Sequence, residues 1–414
     1  MTTQNYSIKA KSCVNPIRNV VQNLVVNPAK SSDVITLTLG DPTAYGTLGP
    51  HEHMYKAVQE ALNSSKYNGY IPAFGLETAR TAIAKYSSNL KFKPVANDVI
   101  ITSGCSGALE ICILAVANPG EFILIPRPGF SIYELLANFS GIEIKDYDLQ
   151  PDKNWEASIE QLESLVCDKT KAIIINNPSN PTSAVYSNKH LQELLGFAER
   201  HQLTVISDEV YEHMVFPGSE FISLTSIDCK VPVLLCSGLT KRFLVPGWRI
   251  GWIVICENNS DMKSLRTSLF NLTGRILGPN TFIQAAIPKI LEETPREFFQ
   301  NCINLFYKNL VISKEILGSV RGLRLGSSFG AMYLVVQIEI EKFPLYRDDR
   351  DFCQAMLDQE SVFCLPCSAF KYPNWFRMVL TLSHVKMKIA CERIKKFVEN
   401  NIDLKQNDPS ILNK

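Results

Sequence analysis

The sequence lacks the features that define several common protein classes. No apolar run among its 414 residues approaches the eighteen or more that a transmembrane helix requires. Its 42 Lys and Arg residues are balanced by 41 Asp and Glu, and this near-neutral charge argues against a nucleic acid or a membrane surface as a partner. Internal repeats and low-complexity tracts are also missing, so we expect an ordinary globular chain, long enough for two domains.

The amino-terminal stretch contains no secretory apolar segment. The twelve cysteines therefore indicate reduced thiols in a cytoplasmic protein rather than a disulfide framework. The first acidic residue is Asp33, and the basic residues before it leave mitochondrial import as the alternative compartment.

Metal-binding patterns are incomplete. Cys364 and Cys367 form a lone C-x-x-C pair inside an apolar, strand-like stretch, which indicates core thiols. His51 and His53 have no evident third ligand beside them. We therefore expect no metal.

Apolar runs of strand length alternate with helix-like segments through the middle of the chain. Continuous Val, Ile and Leu strands spaced by helices predict a parallel sheet covered on both faces, and thus an α/β fold. After about residue 300 a long helix, the strand "AMYLVVQIEI" and a final helix predict a smaller α/β domain. We expect residues 1–55 to join this small domain, residues 56–300 to form the large domain and residues 301–414 to form the small one.

Five unusual polar loops follow apolar runs of the large domain. In parallel sheets the ligand binds where the strands end and these loops begin, so the loops predict one site assembled from distant segments. Their sequences are "TSGCSG", "PRPGF", "NNPSNP", "SDEVY" and "SGLTKR".

The first of these loops and a later arginine suit a phosphate. Gly104 and Ser106 lie at a strand-to-helix junction, where backbone N–H groups and a hydroxyl can meet an anion. Arg249 would add a fixed cationic fork. Phe130 could stack on a flat ring, although an isolated Phe is also typical of a core.

The remaining loops suit an aromatic aldehyde with a pyridine ring. Asp208 ends an apolar strand, where an unpaired carboxylate would be costly and a protonated ring nitrogen would be a fitting partner. Tyr211 and Asn180 could hydrogen-bond a ring hydroxyl. Lys241, in an otherwise apolar stretch, could condense with the aldehyde.

Several of these motifs together resemble one family. The strings "LGDPTAYG", "KYNGYIPAFG", "NNPSNP", "SDEVYEHMVF", "KRFLVPGWRIGW" and "FGAMY" strongly resemble the tyrosine aminotransferases, pyridoxal-phosphate enzymes of fold type I. The resemblance covers about residues 14–400 in the family's order. It implies a large domain with a mostly parallel, seven-stranded sheet between helices, a smaller α/β domain, and a homodimer with shared active sites.

The resemblance implies a role for each residue of the cofactor site. Lys241 would bind pyridoxal 5'-phosphate covalently and move the proton between substrate and cofactor. Asp208 would keep the pyridine nitrogen protonated, and Asn180 and Tyr211 would bind the phenolic oxygen. Phe130 would stack on the ring.

The phosphate group would be held by residues of two chains. Gly104, Cys105, Ser106 and Arg249 would bind it from one chain, and Tyr70 would reach it from the second subunit. Lys241, Asp208 and Tyr211, named above, would be the catalytic residues.

The substrate would bind on the other side of the cofactor. Arg377 would clamp the substrate α-carboxylate with two parallel hydrogen bonds, and Gly40 would lie beside the substrate, as would Asn180. Two departures from the family pattern stand near this site. Ser183 replaces the glycine that ends the family's N-P-x-N-P-x-G loop, and "VLTLSHVKM" differs from the usual sequence after the arginine.

The implied activity is ping-pong transfer of the amino group of L-tyrosine, or another aromatic amino acid, to 2-oxoglutarate. The products would be 4-hydroxyphenylpyruvate and L-glutamate. A broad-specificity aminotransferase for methionine, phenylalanine or alanine is one alternative, and a pyridoxal-phosphate-dependent C–S β-lyase is another, since apolar discrimination is weak. Arg275 could bind a distal carboxylate. We do not expect a non-catalytic regulator, because so little sequence precedes "VNPIR".

Overall fold

The computed structural model of the chain describes residues 7, 9–10, 13–24, 33–257 and 262–402. The outer ends of the predicted segments 1–55 and 301–414 thus lie outside the described residues. The helices are α1 (Pro16–Asn23), α2 (Glu52–Asn63), α3 (Glu77–Tyr86), α4 (Gly104–Val116), α5 (Ile132–Ser140), α6 (Ile159–Leu165), α7 (Asn188–Arg200), α8 (Lys263–Thr273), α9 (Thr281–Glu293), α10 (Arg296–Leu317), α11 (Asp349–Glu360) and α12 (His384–Asn401). The strands are β1 (Ile35–Thr36), β2 (Val99–Ser103), β3 (Phe122–Arg127), β4 (Glu143–Gln150), β5 (Glu156–Ala157), β6 (Thr170–Asn176), β7 (Thr204–Asp208), β8 (Val233–Gly238), β9 (Ile250–Cys256), β10 (Leu323–Leu325), β11 (Tyr333–Ile338), β12 (Val362–Phe363), β13 (Leu365–Pro366) and β14 (Trp375–Val379).

Eight strands form the larger sheet, in the order β2-β9-β8-β7-β6-β3-β4-β5. Neighbours from β8 through β4 pair in parallel, and β9 runs antiparallel to both β8 and β2. The two-residue strand β5 pairs antiparallel with β4 at the edge. The predicted α/β class is confirmed. The sheet has one short edge strand more than the predicted seven, because the chain turns back after β4 for two residues.

Both faces of this sheet are buried, which explains its continuous apolar strands. On β6, Ala172 and Ile174 join one hydrophobic cluster with α4, whereas Ile173 and Ile175 join another with α7. Successive side chains of a strand point to opposite faces, so a strand between two helical layers must be apolar at every position. All four of these side chains are fully buried.

The second sheet is antiparallel, in the order β10-β11-β14-β13. It carries Tyr333 at the start of β11 and Arg377 in the middle of β14. Strand β1 pairs in parallel with β12, so the chain before α2 contacts the carboxyl-terminal part of the chain. Helix α10 continues across residue 300. The domain limits at residues 55 and 300 stay predictions.

The parallel strands β2, β3, β6, β7 and β8 end at one edge of the larger sheet. Their last residues are Ser103, Arg127, Asn176, Asp208 and Gly238. The five polar loops singled out in the sequence begin there. Across the described part of the chain, none of the helices is both long and apolar enough to cross a membrane.

Candidate active site

A cavity of about 410 Å³ lies at this edge, between the larger sheet and the second one. It brings together side chains from five loops and from the segment before α2. Ten of the predicted site residues line it: Gly40, Cys105, Ser106, Phe130, Asn180, Asp208, Tyr211, Lys241, Arg249 and Arg377. Gly104 directly precedes Cys105 in the chain.

Asp208 lies at the floor of the cavity, at the end of β7, and is 2% exposed. One carboxylate oxygen accepts a hydrogen bond from the Tyr133 hydroxyl at 2.6 Å. The other accepts from the Val210 N–H at 3.2 Å and from the Cys105 thiol at 3.6 Å. Burial raises the pKa of Asp208, and these hydrogen bonds oppose that rise. A carboxylate at this depth is suited to a cationic ring nitrogen as its partner.

Lys241 follows β8 and is half-buried at the wall of the cavity. Its Nζ donates a short hydrogen bond to the Gly40 carbonyl oxygen. The same atom lies 6.0 Å from the centre of the Tyr211 ring. The amine is thus held beside the groups that the resemblance assigns to the cofactor ring.

Tyr211 and Asn180 project from the loops that follow β7 and β6. The Tyr211 hydroxyl lies 2.7 Å from the Tyr333 hydroxyl, and burial raises the pKa of Tyr211 well above its ordinary value. The Asn180 backbone N–H donates to the Asn176 side-chain oxygen at 2.7 Å, and the side-chain oxygen of Asn180 accepts from Arg377 at 2.8 Å. A neutral phenol and a fixed carboxamide can both donate to an anionic oxygen.

The amino-terminal end of α4 forms a site suited to an anion. Gly104 begins the helix at φ +72°, and a Cβ there would lie 2.4 Å from Arg249 Nη2, so the guanidinium packs directly on the helix end. Arg249 donates to the carbonyl oxygens of Pro246 at 3.0 Å and Ser103 at 3.3 Å. The Gly104 N–H donates to the Arg249 carbonyl oxygen at 3.1 Å, which ties the helix end to Arg249. The N–H groups that follow it, the helix dipole and a fixed cation suit a phosphate. The Cys105 thiol contacts Asp208, so the backbone of this residue, and not its thiol, is the part suited to an anion.

Arg377 is buried in the opposite wall, with 2% of its surface exposed. Nη1 donates to Asn180, and Nη2 donates to the Thr38 carbonyl oxygen at 2.7 Å. The guanidinium carbon lies 4.3 Å from the centre of the Tyr333 ring. Its buried Nε has no hydrogen-bond partner among the described residues. A planar cation held in this way can bind a carboxylate with two parallel hydrogen bonds.

Phe130 lies at the cavity with its ring edge-on to Tyr133, the centroids 6.0 Å apart. Tyr70 does not line the cavity of its own chain and is 94% exposed. Arg275 forms an ion pair with Glu110 at 3.3 Å and lines a different, smaller cavity. It therefore does not reach the substrate side of this site within one chain.

Ser183 resolves the departure from the family's loop pattern. It adopts φ +59°, the left-handed conformation that glycine ordinarily supplies. Its hydroxyl donates to the Tyr333 carbonyl oxygen at 2.9 Å and accepts from the Tyr333 N–H at 3.2 Å. These two bonds join the loop to strand β11.

The residues considered for metal binding lie elsewhere. Cys364 and Cys367 are buried thiols, and the Nδ1 atoms of His51 and His53 are 2.8 Å apart. Within the described ranges, three or more His, Cys, Asp or Glu side chains nowhere form a group able to hold a metal ion.

The cavity also contains residues that sequence reasoning missed. Tyr333 lines the cavity, and the Tyr133 hydroxyl donates a hydrogen bond to Asp208. Helix α1 closes one side with Ile17, Arg18 and Val21. "FGAMY" was part of the resemblance, but its tyrosine carried no assigned role, and Tyr133 follows Phe130 by three residues without any distinguishing pattern.

The chain is similar to known proteins over almost its whole length. The family model of aminotransferase class I and II matches residues 32–394. A tyrosine aminotransferase of Bos taurus is 45% identical over 388 residues, which cover 94% of this chain and 87% of that protein. The solved structure of a Leishmania infantum tyrosine aminotransferase has a TM-score of 0.93 at 28% identity, covering 97% of this chain and 100% of that chain. An alanine aminotransferase of Pyrococcus furiosus has a TM-score of 0.89 at 29% identity, covering 96% and 100%.

Proposed function

Because the chain belongs to the class I and II aminotransferases, we propose that it transfers the amino group of L-tyrosine, or another aromatic amino acid, to 2-oxoglutarate. One observation carries the proposal. Lys241, Asp208 and Arg377 meet in one cavity of a chain that is 45% identical to a tyrosine aminotransferase. The products are 4-hydroxyphenylpyruvate and L-glutamate.

The cavity fits pyridoxal 5'-phosphate at both ends. The end of α4 and Arg249 suit its phosphate, and the buried Asp208 suits its ring nitrogen. When bound, the cofactor supplies an aldehyde and an electron-withdrawing ring. Asp208 would hold a proton on the ring nitrogen, and Tyr211 and Asn180 would donate to the ring oxygen.

Lys241 does the proton chemistry. Its amine would hold the cofactor through the aldehyde and, with a substrate bound, would take the proton from the substrate Cα. The contact with the Gly40 carbonyl oxygen keeps that amine at the cavity wall. The same residue returns a proton when the oxo acid binds, so one amine serves both halves of a ping-pong cycle.

Arg377 orients each substrate through its carboxylate. Its charge and fork bind the group that an amino acid and an oxo acid share, and the hydrogen bonds to Asn180 and Thr38 hold the fork in place. A substrate carboxylate held by Arg377 would direct the Cα–H bond toward Lys241. Because both reactants carry this carboxylate, one site can bind each of them in turn.

An aromatic donor suits the apolar part of the lining. Phe130, Leu39, Ile17 and Val21 are among the residues that line the cavity. Burying an aromatic side chain against such groups is favourable by about 2–3 kcal/mol. Because this term depends on apolar area rather than on the tyrosine hydroxyl, phenylalanine and methionine should also react, and the fold likeness to an alanine aminotransferase keeps a broad-specificity enzyme as the second candidate.

The proposal includes a homodimer. Tyr70 is 94% exposed, and the loop after α8 beside it exposes Ile276 at 66% and Leu277 at 56%. Gly278 in that loop packs against Ala73, which places the apolar residues near Tyr70. A second copy covering this surface would receive Tyr70 at the phosphate end of its site. The free cysteines suit a reducing compartment, and we propose the cytoplasm.

Product analysis with defined substrates tests the activity. The purified protein, loaded with pyridoxal 5'-phosphate, is incubated with L-tyrosine and 2-oxoglutarate, and 4-hydroxyphenylpyruvate and L-glutamate are quantified in equal amounts. Phenylalanine, methionine and alanine replace tyrosine in parallel to rank donors. Pyruvate released from cystathionine without an oxo acid, together with inert tyrosine, would establish a β-lyase instead.

A further inference from the structure

Tyr333 joins the two halves of the site. It begins β11, is 1% exposed, and lines the cavity. Its hydroxyl lies 2.7 Å from that of Tyr211, and the two rings meet edge to face with centroids 5.8 Å apart. Its ring face lies 4.3 Å from the Arg377 guanidinium. One side chain therefore contacts a proposed cofactor ligand and the proposed carboxylate clamp.

The backbone of Tyr333 is held from two directions. The Ser183 hydroxyl bonds both its carbonyl oxygen and its N–H, and the Ser328 hydroxyl donates to the same carbonyl oxygen at 3.1 Å. The Ser183 carbonyl oxygen in turn accepts from the N–H groups of Phe329 and Gly330. The phenol thus projects from a backbone position with little freedom to shift.

The space around the Tyr333 hydroxyl is shaped to fit it. A Cβ on Gly40 would lie 2.9 Å from this oxygen, so a larger residue at position 40 would displace the phenol. The Gly40 carbonyl oxygen accepts from Lys241. The hydroxyl is therefore enclosed between Gly40 and Tyr211, and Tyr211 is its hydrogen-bond partner.

A hydroxyl has one proton, and its direction matters here. If Tyr211 donates to Tyr333, it has no proton left for the cofactor ring oxygen. An anionic ring oxygen would accept the one hydrogen bond that Tyr211 can donate, and Tyr333 would then be the donor to Tyr211. Donation into an O–H group makes that group a stronger donor in turn, because hydrogen bonds in a chain polarise one another.

We propose that Tyr333 is a positioning residue that donates to Tyr211 and thereby directs and strengthens the Tyr211 hydrogen bond to the cofactor ring oxygen. The inference rests on the proposed function, since it needs the cofactor in this cavity. Ser183 contributes to the same positioning, because its hydroxyl fixes the backbone of Tyr333, from which the phenol projects.

The test measures cofactor binding rather than turnover. Tyr333→Phe keeps the ring on Arg377 and removes only the hydroxyl. We expect its dissociation constant for pyridoxal 5'-phosphate, from equilibrium dialysis, to rise about fivefold, the effect of one net hydrogen bond. The pH midpoint of the bound cofactor's visible absorbance should rise by about half a unit, because a weaker donor stabilises the ionised ring oxygen less.

Tyr147→Phe is the matched control. Tyr147 is also 1% exposed, and its hydroxyl donates to the Ile174 carbonyl oxygen at 2.8 Å, but it does not line the cavity. Tyr147→Phe should lower thermal stability about as much as Tyr333→Phe does, but it should change neither the dissociation constant for the cofactor nor the pH midpoint. If Tyr333→Phe is too unstable to purify, Ser183→Gly loosens the same phenol at a position whose φ suits glycine and should shift both measurements in the same direction by less.

A double variant shows whether Tyr333 acts on the cofactor through Tyr211 or only stabilises the fold. In a Tyr211→Phe background, Tyr333→Phe should add no further loss of cofactor affinity, because the group that it acts through is gone. Additive losses, or a Tyr333→Phe protein indistinguishable from wild type in both cofactor measurements, would overturn the inference while the proposed function stands. Failure of the wild-type protein itself to bind the cofactor would overturn both.

Discussion

Replacing Arg377 by lysine changes the carboxylate clamp while keeping its positive charge. The guanidinium is almost fully buried, and its two terminal nitrogens already donate to Asn180 at 2.8 Å and Thr38 at 2.7 Å. These bonds set the plane of the fork and leave the buried Nε and the remaining N–H groups for a substrate. A lysine ammonium at this position is a point charge and cannot present two parallel N–H groups.

The expected loss follows from the hydrogen bonds removed. A hydrogen bond to a charged group contributes about 1.5–3 kcal/mol, and lysine forfeits one of the two. At about 1.4 kcal/mol per decade, kcat/KM should fall about 10- to 150-fold for Arg377→Lys. Arg377→Met removes the charge and both bonds, so its loss should be about 3–6 kcal/mol, or more than 100-fold.

The assay is steady-state kinetics with each substrate varied in turn. Because tyrosine and 2-oxoglutarate share the α-carboxylate, both kcat/KM values should fall by similar factors, while the protein still binds pyridoxal 5'-phosphate. Arg266→Lys is the control, since this arginine forms ion pairs with Asp98 and Glu257 outside the cavity. A loss confined to one substrate, or less than twofold for both, would refute the carboxylate role.

Three further variants test other parts of the site. Lys241→Ala should lose turnover with tyrosine by at least about 10³-fold while its circular dichroism is unchanged, and retained turnover would contradict its role as nucleophile and base. Asp208→Asn keeps the size of the side chain but removes the buried charge. Its pyridoxal 5'-phosphate affinity and turnover should each fall about 100-fold or more, measured by dialysis and product formation, whereas unaltered values would remove the ring-nitrogen contact from the account. Glu209 accepts bonds from Ser207 and Leu224, and burial raises its pKa from 4.5 to about 8. The folded chain therefore retains a proton that the unfolded chain releases, so stability falls as pH rises from about 4.5 to 8. Thermal unfolding of Glu209→Gln at pH 5.5 and 7.5 should show a smaller fall than wild type, and an equal fall would place the titration elsewhere.

The parts of the fold that follow from burial could be predicted from sequence. The middle of strand β6 must be apolar at each position because helices cover both faces, and its "AIII" run at residues 172–175 shows this directly. The antiparallel direction of β9 could not be predicted, since an apolar run does not show whether its strand pairs parallel or antiparallel with its neighbours. The two-residue strand β5 is too short to leave any periodic pattern.

The same contrast holds for the site. Asp208 and Lys241 stand out because charged residues are unusual beside buried strands, and the structure places both in one cavity. Tyr133 and Tyr333 are aromatic residues in apolar surroundings, which is also typical of a core. Their roles depend on where the hydroxyl oxygen lies, and only the packed fold positions it.

The most direct test of the central claim is a single half-reaction. The purified protein, loaded with pyridoxal 5'-phosphate and freed of excess cofactor, is mixed with L-tyrosine alone, and 4-hydroxyphenylpyruvate is quantified before 2-oxoglutarate is added. The account predicts close to one equivalent of this oxo acid per chain and no more, followed by one equivalent of L-glutamate after 2-oxoglutarate is added. Release of no oxo acid from tyrosine, or continued release without an acceptor, would contradict it.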